Sequence, residues 1–570
     1  MQENPFVQEV VRRLHTATEI PAEQISSTLS YPPSLDLGDV AFPCFLLAKQ
    51  RRKSPPEIAN ELVGEVFGDA TEHVTGATAA GPYLNIRFNR KTYAEWVLRQ
   101  TMIEGKNFGK SDEGAGRVVA IDYSSPNIAK PFHVGHLRST IIGGALYRLF
   151  NTLGYRSVGI NHLGDWGTQF GKLIVGLKNW GTEDDLSDVL ELNKLYVKYH
   201  DEEKKNAALT DEAREWFRKQ EANDPEAMRL WKGIRDSSLD YFKRIYARLG
   251  ADFDHYTGES FFNDKMEEVV DMATDAGLTE ISDGALIINL EKHGIKTPAL
   301  LKKADGSTLY ITRDLAAILY RQRTYDFHKL LYVVGSEQAL HFQQLFKVCE
   351  LLGLDWHEDV AHVGFGRVKG MSSRAGNVVY LEELLDEAKS KALENMRANL
   401  EKRPDLEDEE AVAEAVGIAA IFFSDMSNRR IKDYTFDWDR AVSFEGDTGP
   451  YLLNAHARIA GIIRKCEVEP CTDPDSLRYD LIDEPAAHRL VSLIARYPEA
   501  LRMAARDYEP SAVANYLLDL AKGLHGSYRE LRVKGEAEEL AQARLQLFLA
   551  VKQVLANGLA ILGIPALDRM

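Results

Sequence analysis

Apolar residues recur every four positions in "NPFVQEVVRRL", where Phe6, Val10 and Leu14 fall on one face and predict an amphipathic helix. After a basic run, Ser54-Pro55-Pro56 opens a second helix. "GPYLNIRFN" alternates like a strand. "GKSDEGAGR", rich in Gly, Ser and Asp, closes this first unit as a linker. Beyond it, the β-branched run "VVAIDYS" (118–124) predicts a buried strand. Two adjacent apolar columns follow, Ile141-Ala145-Leu149-Leu153 and Ile142-Leu146-Phe150, so the next helix is mostly buried; Gly154 suits its C-terminal cap. "RSVGINHLGDWG" adds another strand and a loop. Strand, helix and strand in succession make one βαβ unit and predict a parallel sheet.

From about residue 181 to 300 the pattern turns charged and helical, as in "TEDDLSDVLELNKLYVKYHDEEKKN", and reads as an insertion between the halves of that sheet. "KLLYVVGS" (329–336) is a returning strand, and "QALHFQQLFKVCELLG" the helix after it. From about 441 the chain is a run of long amphipathic helices, with no internal repeat and no low-complexity tract. The expected fold is multidomain α/β plus all-α. It has an α+β unit at 1–110, a parallel-sheet domain at 111–360 with its mainly helical insertion, a loop-bearing region at 361–440 and a helical bundle at 441–570.

Composition changes this picture in three places. A chain of 570 residues, 45% hydrophobic, supports several cores. The net charge of −17 means that any surface for nucleic acid must be a local basic patch. Cys44, Cys349, Cys466 and Cys471 are scattered, which suggests neither a disulfide framework nor a CxxC zinc site and fits a reducing cytosol. The N-terminus carries no apolar signal core, and no stretch reaches the ~20 uninterrupted apolar residues that span a bilayer. A cytoplasmic protein with no membrane partner is expected.

The chemistry concentrates in "SSPNIAKPFHVGHLRST" (124–140). A strand-loop-helix passage places a helix N-terminus at the C-terminal ends of parallel strands, where ligands of such sheets bind and where free N–H groups favour anions. His133 and His136 are three apart and can face one phosphate; Gly135 lets a flat group approach the backbone. A zinc pair would prefer a spacing of four and a third ligand. HxGH alone could equally be an incidental helix start. A second element, "GFGRVKGMSSRAGNVV" (364–379), is a Gly-, Ser- and Lys/Arg-rich loop between a strand and a helix, able to cover a triphosphate or simply to be a solvated surface loop.

Taken together, HxGH, "NHLGDWGTQFG" (161–171), "LYITRDLAAILY" (309–320) and "GMSSRAGN" (370–377) resemble class I aminoacyl-tRNA synthetases, and within them the arginine–tRNA ligases, along the whole chain. The resemblance implies a Rossmann-like catalytic domain, a tRNA-elbow domain before it and an anticodon-binding domain after it, the last matched by "EGDTGPYLLNAHARI" (445–459) and the terminal "LDRM". It implies ATP-dependent ligation of L-arginine to tRNA(Arg) through arginyl-adenylate, releasing AMP and pyrophosphate. Magnesium would arrive with ATP, and no protein-ligated metal is expected.

A guanidinium needs planar, anionic, bidentate partners. Asp314, expected in the first turn of a helix with Thr312 as N-cap, is assigned to it, helped by Tyr310 and Gln338; as a bare sequence feature it could be an ordinary helix-dipole partner. The resemblance implies that Asn127 and Glu259 hold the rest of the amino acid; Gln169 is a further substrate candidate, while Asp165 and Trp166 read as packing residues. His133, Gly135 and His136, with Met371, Ser372, Ser373 and Arg374, form the expected ATP and catalytic set. Tyr83 and Asn85 are expected at the tRNA elbow, and Tyr451, Arg458 (beside His456) and Met570 at the anticodon.

One departure stands out. The class pattern Lys-Met-Ser-Lys-Ser is Gly370-Met371-Ser372-Ser373-Arg374 here, so both signature lysines are missing. Lys130, Lys369 and Arg374 are the candidate replacements, and Lys130, next to Pro131 on the turn into the helix, is the favoured one. A small nucleotidylyltransferase would leave the C-terminal bundle without a role. A catalytically dead RNA-binding relative fits poorly with the intact HxGH. A monomer is expected, as is adenylate formation that requires tRNA, the latter on the resemblance alone.

Overall fold

The computed structural model describes the chain except residues 1–3, 129, 305, 308–309, 371–378, 399–407 and 467. In the first unit, the helix Pro5–Thr18 buries Phe6, Val10 and Leu14 at 0–1% exposure, and Asn4 caps it by accepting from the amides of Phe6 and Val7. Ser54 and Glu57 form a capping box on the helix Pro55–Phe67. Both helices belong with a three-stranded antiparallel sheet ordered Val40–Pro43, Tyr83–Phe88, Val74–Ala80. The Gly/Ser/Asp-rich stretch after it is packed rather than loose. A Cβ on Gly114 would lie 2.2 Å from the Tyr155 nitrogen, and Asn557 donates to the carbonyls of Gly105 and Phe108.

The second unit is built on a five-stranded parallel sheet in the order Val360–His362, Phe327–Tyr332, Val118–Asp122, Arg156–Asn161, His255–Tyr256. The buried helix Leu137–Thr152 makes the first crossover, and Gly154 follows its end at φ +80°. The block at 181–300 departs from the expected single helical insertion. Helices Val189–Glu203, Ala208–Glu221 and Pro225–Leu249 come first; the chain then returns to supply the edge strand His255–Tyr256, and a separate antiparallel sheet follows, Thr279–Ser282, Ala285–Ile288 and Ala299–Lys302. These strands are four residues or fewer, too short for alternation to be seen against helical flanks.

After the sheet, Val368–Lys369 pairs in parallel with Tyr434–Thr435, and helices Leu381–Arg397 and Glu409–Met426 pack together. The C-terminal bundle comprises Gly449–Lys465, Pro485–Ala495, Tyr497–Arg506, Ser511–Ser527 and Glu538–Leu562. The last of these is long and apolar enough to cross a membrane by composition, yet its apolar window is 67% buried within the fold, as a core helix. A buried pair, His488 Nε2 and Asp39 Oδ1 at 2.7 Å, joins the bundle to the first unit.

Candidate active site

The site lies where the strands Val118–Asp122 and Arg156–Asn161 end. Ser124, just past the first strand, takes the left-handed region at φ +56°; its amide donates to Ser139 Oγ at 2.8 Å, and its hydroxyl is 3.0 Å from that of Tyr246. The turn throws Asn127 outward against Gly164, where a Cβ would come within 2.0 Å of the Asn127 amide oxygen. Glycine at 164 is therefore a condition of this turn.

His133 caps a short 3-10 turn, Val134–His136, its Nδ1 accepting from the Gly135 amide at 3.1 Å. A Cβ at Gly135 would stand 2.7 Å from the His133 ring, so the glycine first serves this fold-back. The rings of His133 and His136 are 4.0 Å apart, and His136 stacks on Phe132 at 5.2 Å. Burial, then neighbouring His133, push His136 down to about 3; burial and the Lys130 charge lower His133. Both rings are neutral at pH 7, donors rather than cations. Lys130 is exposed, its ammonium 5.2 Å from the Tyr196 ring centroid. Lys369 is two-thirds exposed and 3.9 Å from Asp433. Met371, Ser372, Ser373 and Arg374 lie outside the described residues.

Asp314 is placed differently from the expectation. The helix runs Tyr310–Tyr325, so Thr312 is inside it, fully buried, and donates to the Leu301 carbonyl at 2.7 Å instead of capping; Asp314 belongs to the second turn. The helix end therefore does not hold the charge. Burial alone would raise this carboxyl, but the 2.7 Å contact from His341 Nε2 and the charges of His341, His162 and Arg321 outweigh it and keep Asp314 below the ordinary range. Behind it, Arg321 and Asp122 form a buried pair at 2.7 Å, with Ser125 Oγ donating to the other Asp122 oxygen. Tyr310, 69% exposed, and Gln338, also exposed, stand at the start of this helix and of the next.

Glu259 opens a 3-10 turn, Glu259–Phe262, whose first amide donates to the Leu163 carbonyl. Asp165 fixes the same turn, accepting from the Ser260 amide at 2.8 Å and hydroxyl at 2.7 Å. Burial, partly opposed by Arg313 at 3.4 Å and reinforced by Asp165 and Asp314, raises Glu259 to about 7. Gln169 turns back on Trp166, donating to its carbonyl at 3.2 Å. Sequence reasoning missed His341, His162 and Arg313. His341 stands one helical turn beyond Gln338 in "SEQALHF", the spacing that could have pointed to it.

Two distant surfaces carry the remaining candidates. Tyr83 is 41% exposed, but Asn85 is 2% exposed, on the central strand of its sheet, with its amide turned away from solvent. Alternation puts positions 83 and 85 on one face; the strand from 40 to 43 runs beside both, and Gly38 lies against Asn85. The exposed neighbour of Tyr83 is instead Phe45, at 6.0 Å. On Gly449–Lys465, Tyr451 stacks on His525 at 4.7 Å and Arg458 lies over Tyr528 at 5.0 Å. Arg458 lines a cavity of about 540 Å³ with Lys465, Tyr528, Arg532, Lys534 and Phe548. His456 is buried on another side, bonded to the Leu567 carbonyl, and Met570 is 8% exposed within the core.

A family model described as "tRNA synthetases class I (R), catalytic domain" matches residues 98–438. "Arginyl tRNA synthetase N terminal domain" matches 6–88, and "DALR anticodon binding domain" 452–570. The arginine–tRNA ligase of Alkaliphilus metalliredigens is 45% identical over 572 residues, covering 99% of this chain and all of that one. That of Clostridioides difficile is 45% identical over 97% of both. The solved arginyl-tRNA synthetase of Plasmodium falciparum shares the fold at a TM-score of 0.82 and 24% identity, that of Thermus thermophilus at 0.79 and 23%, each over 99% of both chains.

Proposed function

The chain belongs to the class I arginyl-tRNA synthetase family, and from that premise we propose that it joins L-arginine to tRNA(Arg) in two steps at the site described. In the first, an oxygen of the arginine carboxylate attacks the α-phosphorus of ATP; the bond to the bridging oxygen breaks and pyrophosphate leaves. In the second, a terminal hydroxyl of tRNA attacks the carbonyl of arginyl-adenylate, and AMP leaves with the bonding pair. No bond to the protein is needed, so orientation and charge stabilisation carry the rate.

The observation that carries this reading is Asp314, a half-buried carboxylate held anionic by His341 at 2.7 Å with its second oxygen free of any hydrogen bond among the described residues. A fixed anion with a free oxygen selects a guanidinium over a neutral side chain. Tyr310 and Gln338 flank it, and Asn127 and Glu259 take the amino-acid end. At the other end, the neutral rings of His133 and His136 donate to the α-phosphate region, and Lys130 meets the developing charge; the amides of residues 134–137 are already engaged within the turn and with Val379. Met371, Ser372, Ser373 and Arg374 complete the phosphate set. Magnesium enters with ATP as part of the substrate.

For tRNA, Tyr83 with Phe45 offers the elbow a pair of exposed aromatic faces, and the Arg458–Tyr528 cavity, ringed by Lys465, Arg532 and Lys534, suits unstacked anticodon bases. This local cationic patch answers the overall charge of −17. The protein acts as a cytoplasmic monomer in this reading. ATP–pyrophosphate exchange with each amino acid singly, with and without tRNA, tests it: arginine alone among the amino acids supports exchange, and an enzyme active with another amino acid ends the proposal.

A further inference from the structure

Arg138 lies two residues past His136 and is 2% exposed, yet the chemistry above does not use it. Its Nη1 donates to the Gly366 carbonyl at 2.7 Å and the Lys432 carbonyl at 3.2 Å. Its Nε stands 2.8 Å from Oδ2 of Asp425, itself 1% exposed, and the Tyr434 hydroxyl donates to the same oxygen at 3.1 Å. The guanidinium lies between two rings, 5.3 Å from that of Tyr434 and 5.7 Å from that of Phe365.

These partners share a location. Gly366 leads into Val368–Lys369, which pairs with Tyr434–Thr435, and Asp425 lies on Glu409–Met426, packed against Leu381–Arg397 and Gly449–Lys465. On the other flank, the Val134 amide donates to the Val379 carbonyl and the Leu381 amide to that of Phe132, at 3.2 and 2.8 Å. Among the described residues, the HxGH turn is thus fastened by backbone at 379–381 and by one side chain, Arg138, at 366 and 432. That side chain is an expensive fastener. Nε and Nη2 of Arg138 and Oδ1 of Asp425 have no hydrogen-bond partner among the described residues, so Arg138 and Asp425 meet as an ion pair only, and burial raises the Asp425 carboxyl against the lowering by Arg138. Incompletely satisfied buried pairs add little stability over apolar side chains of the same volume. What a planar guanidinium adds is direction, fixing three segments about one point.

We propose that Arg138 is a positioning residue for arginine activation: it sets where Val368–Lys369 stands relative to His133 and His136, so that both sides address the same phosphates. The proposal rests on the phosphate-site reading of His133. Three variants test it by pyrophosphate exchange and thermal melting, with His133→Ala run beside them. Arg138→Met slows exchange about 10²-fold, the scale of a misplacement near 1 Å, and raises the KM for ATP while the KM for arginine stays within about twofold. Arg138→Met/Asp425→Leu melts at or above the parent Tm yet remains slow. Arg138→Lys keeps the charge without the fork and recovers only part of the rate. A double variant that is as stable and as fast as the parent overturns the proposal, as does a parent-like rate in Arg138→Lys or a rise confined to the arginine KM. Parent-like exchange in His133→Ala overturns the phosphate reading instead, whatever Arg138→Met does.

Discussion

The two halves of the proposed catalytic cleft handle charge in opposite ways. At the half proposed for the amino acid, charge is fixed by protein partners: half-buried Asp314 is held ionised by His341, and Arg321 and Asp122 form a buried pair behind it. At the phosphate half, the groups nearest the helix start are neutral, with His136 pushed down to about 3, and the cations Lys130 and Lys369 are exposed at the periphery. The difference follows from what each ligand brings. A guanidinium is one weakly hydrated cation, so selecting it requires one preorganised anion out of water. A triphosphate carries several charges of its own and arrives with magnesium; neutral donors at its reacting phosphorus and movable cations around it stabilise the transition state without holding the product pyrophosphate too firmly.

The comparison breaks most severely at Asp314. Asp314→Asn keeps the shape and leaves the fold intact, and removes the anion. Losing one partner of a desolvated charge pair costs on the order of 2–5 kcal/mol, read as a fall in kcat/KM for arginine with melting unchanged. Undiminished arginine dependence in this variant would sink the assignment. The next largest effect falls on the other half. Lys130→Ala lowers the activation rate by roughly 10²-fold with little change in arginine binding, Lys369→Ala is milder and Arg374→Ala intermediate. Single-turnover rates for the three rank them; a crippled Lys369→Ala beside a near-normal Lys130→Ala reverses the idea that Lys130 stands in for the missing signature lysines.

How far each half was legible in the sequence also differs, for a physical reason. The phosphate half is local: strand, turn, HxGH and helix run through one segment of about 35 residues, so periodicity and turn chemistry expose it. The parallel sheet and the helical bundle were legible in the same way, from long periodic segments. The arginine half is assembled from four separated places, around 162, 259, 314 and 341. Family resemblance supplied Glu259 and Asp314, but the groups that set their charge are tertiary neighbours, and no spacing along the chain announces His162 or Arg321. Local rules also misplaced detail. Thr312 reads as an N-cap because threonine favours that position, yet the helix starts at Tyr310 and the hydroxyl is used across the core. Asn85 reads as an accessible amide on the resemblance of its strand, but Gly38 packs against it and it is 2% exposed. The Arg138 side chain that ties the HxGH helix to residues 366 and 432 was invisible, since its partners are two carbonyls, 228 and 294 residues on, and a carboxylate between them.

The finest distinction between the halves concerns protons, and it turns on Glu259. Its carboxyl is raised to about 7, burial being the main cause and the nearby Asp165 and Asp314 charges adding to it, with Arg313 only partly in opposition. In the empty enzyme, then, a raised acid favours the folded state in its neutral form. That contribution is present at low pH and is lost as pH rises from the ordinary glutamate value through about 7. Arginine brings its α-ammonium to this carboxylate in the proposed arrangement, and a cation favours the ionised form. Binding below pH 7 must therefore release a proton from Glu259, and the apparent KM for arginine should fall as pH rises toward 7, by at most about tenfold per unit. Above 7 it should level off. His136, pushed down to about 3, and Asp314, already held ionised, contribute no such break over the same range. Calorimetry of arginine binding in buffers of different ionisation enthalpy reads the released proton directly. Glu259→Gln should abolish both the proton release and the slope of KM between pH 5.5 and 7 while binding arginine a few-fold more weakly at pH 8. Should that slope persist in Glu259→Gln, the titrating group lies elsewhere, and Glu259 is a partner of Arg313 rather than of the substrate.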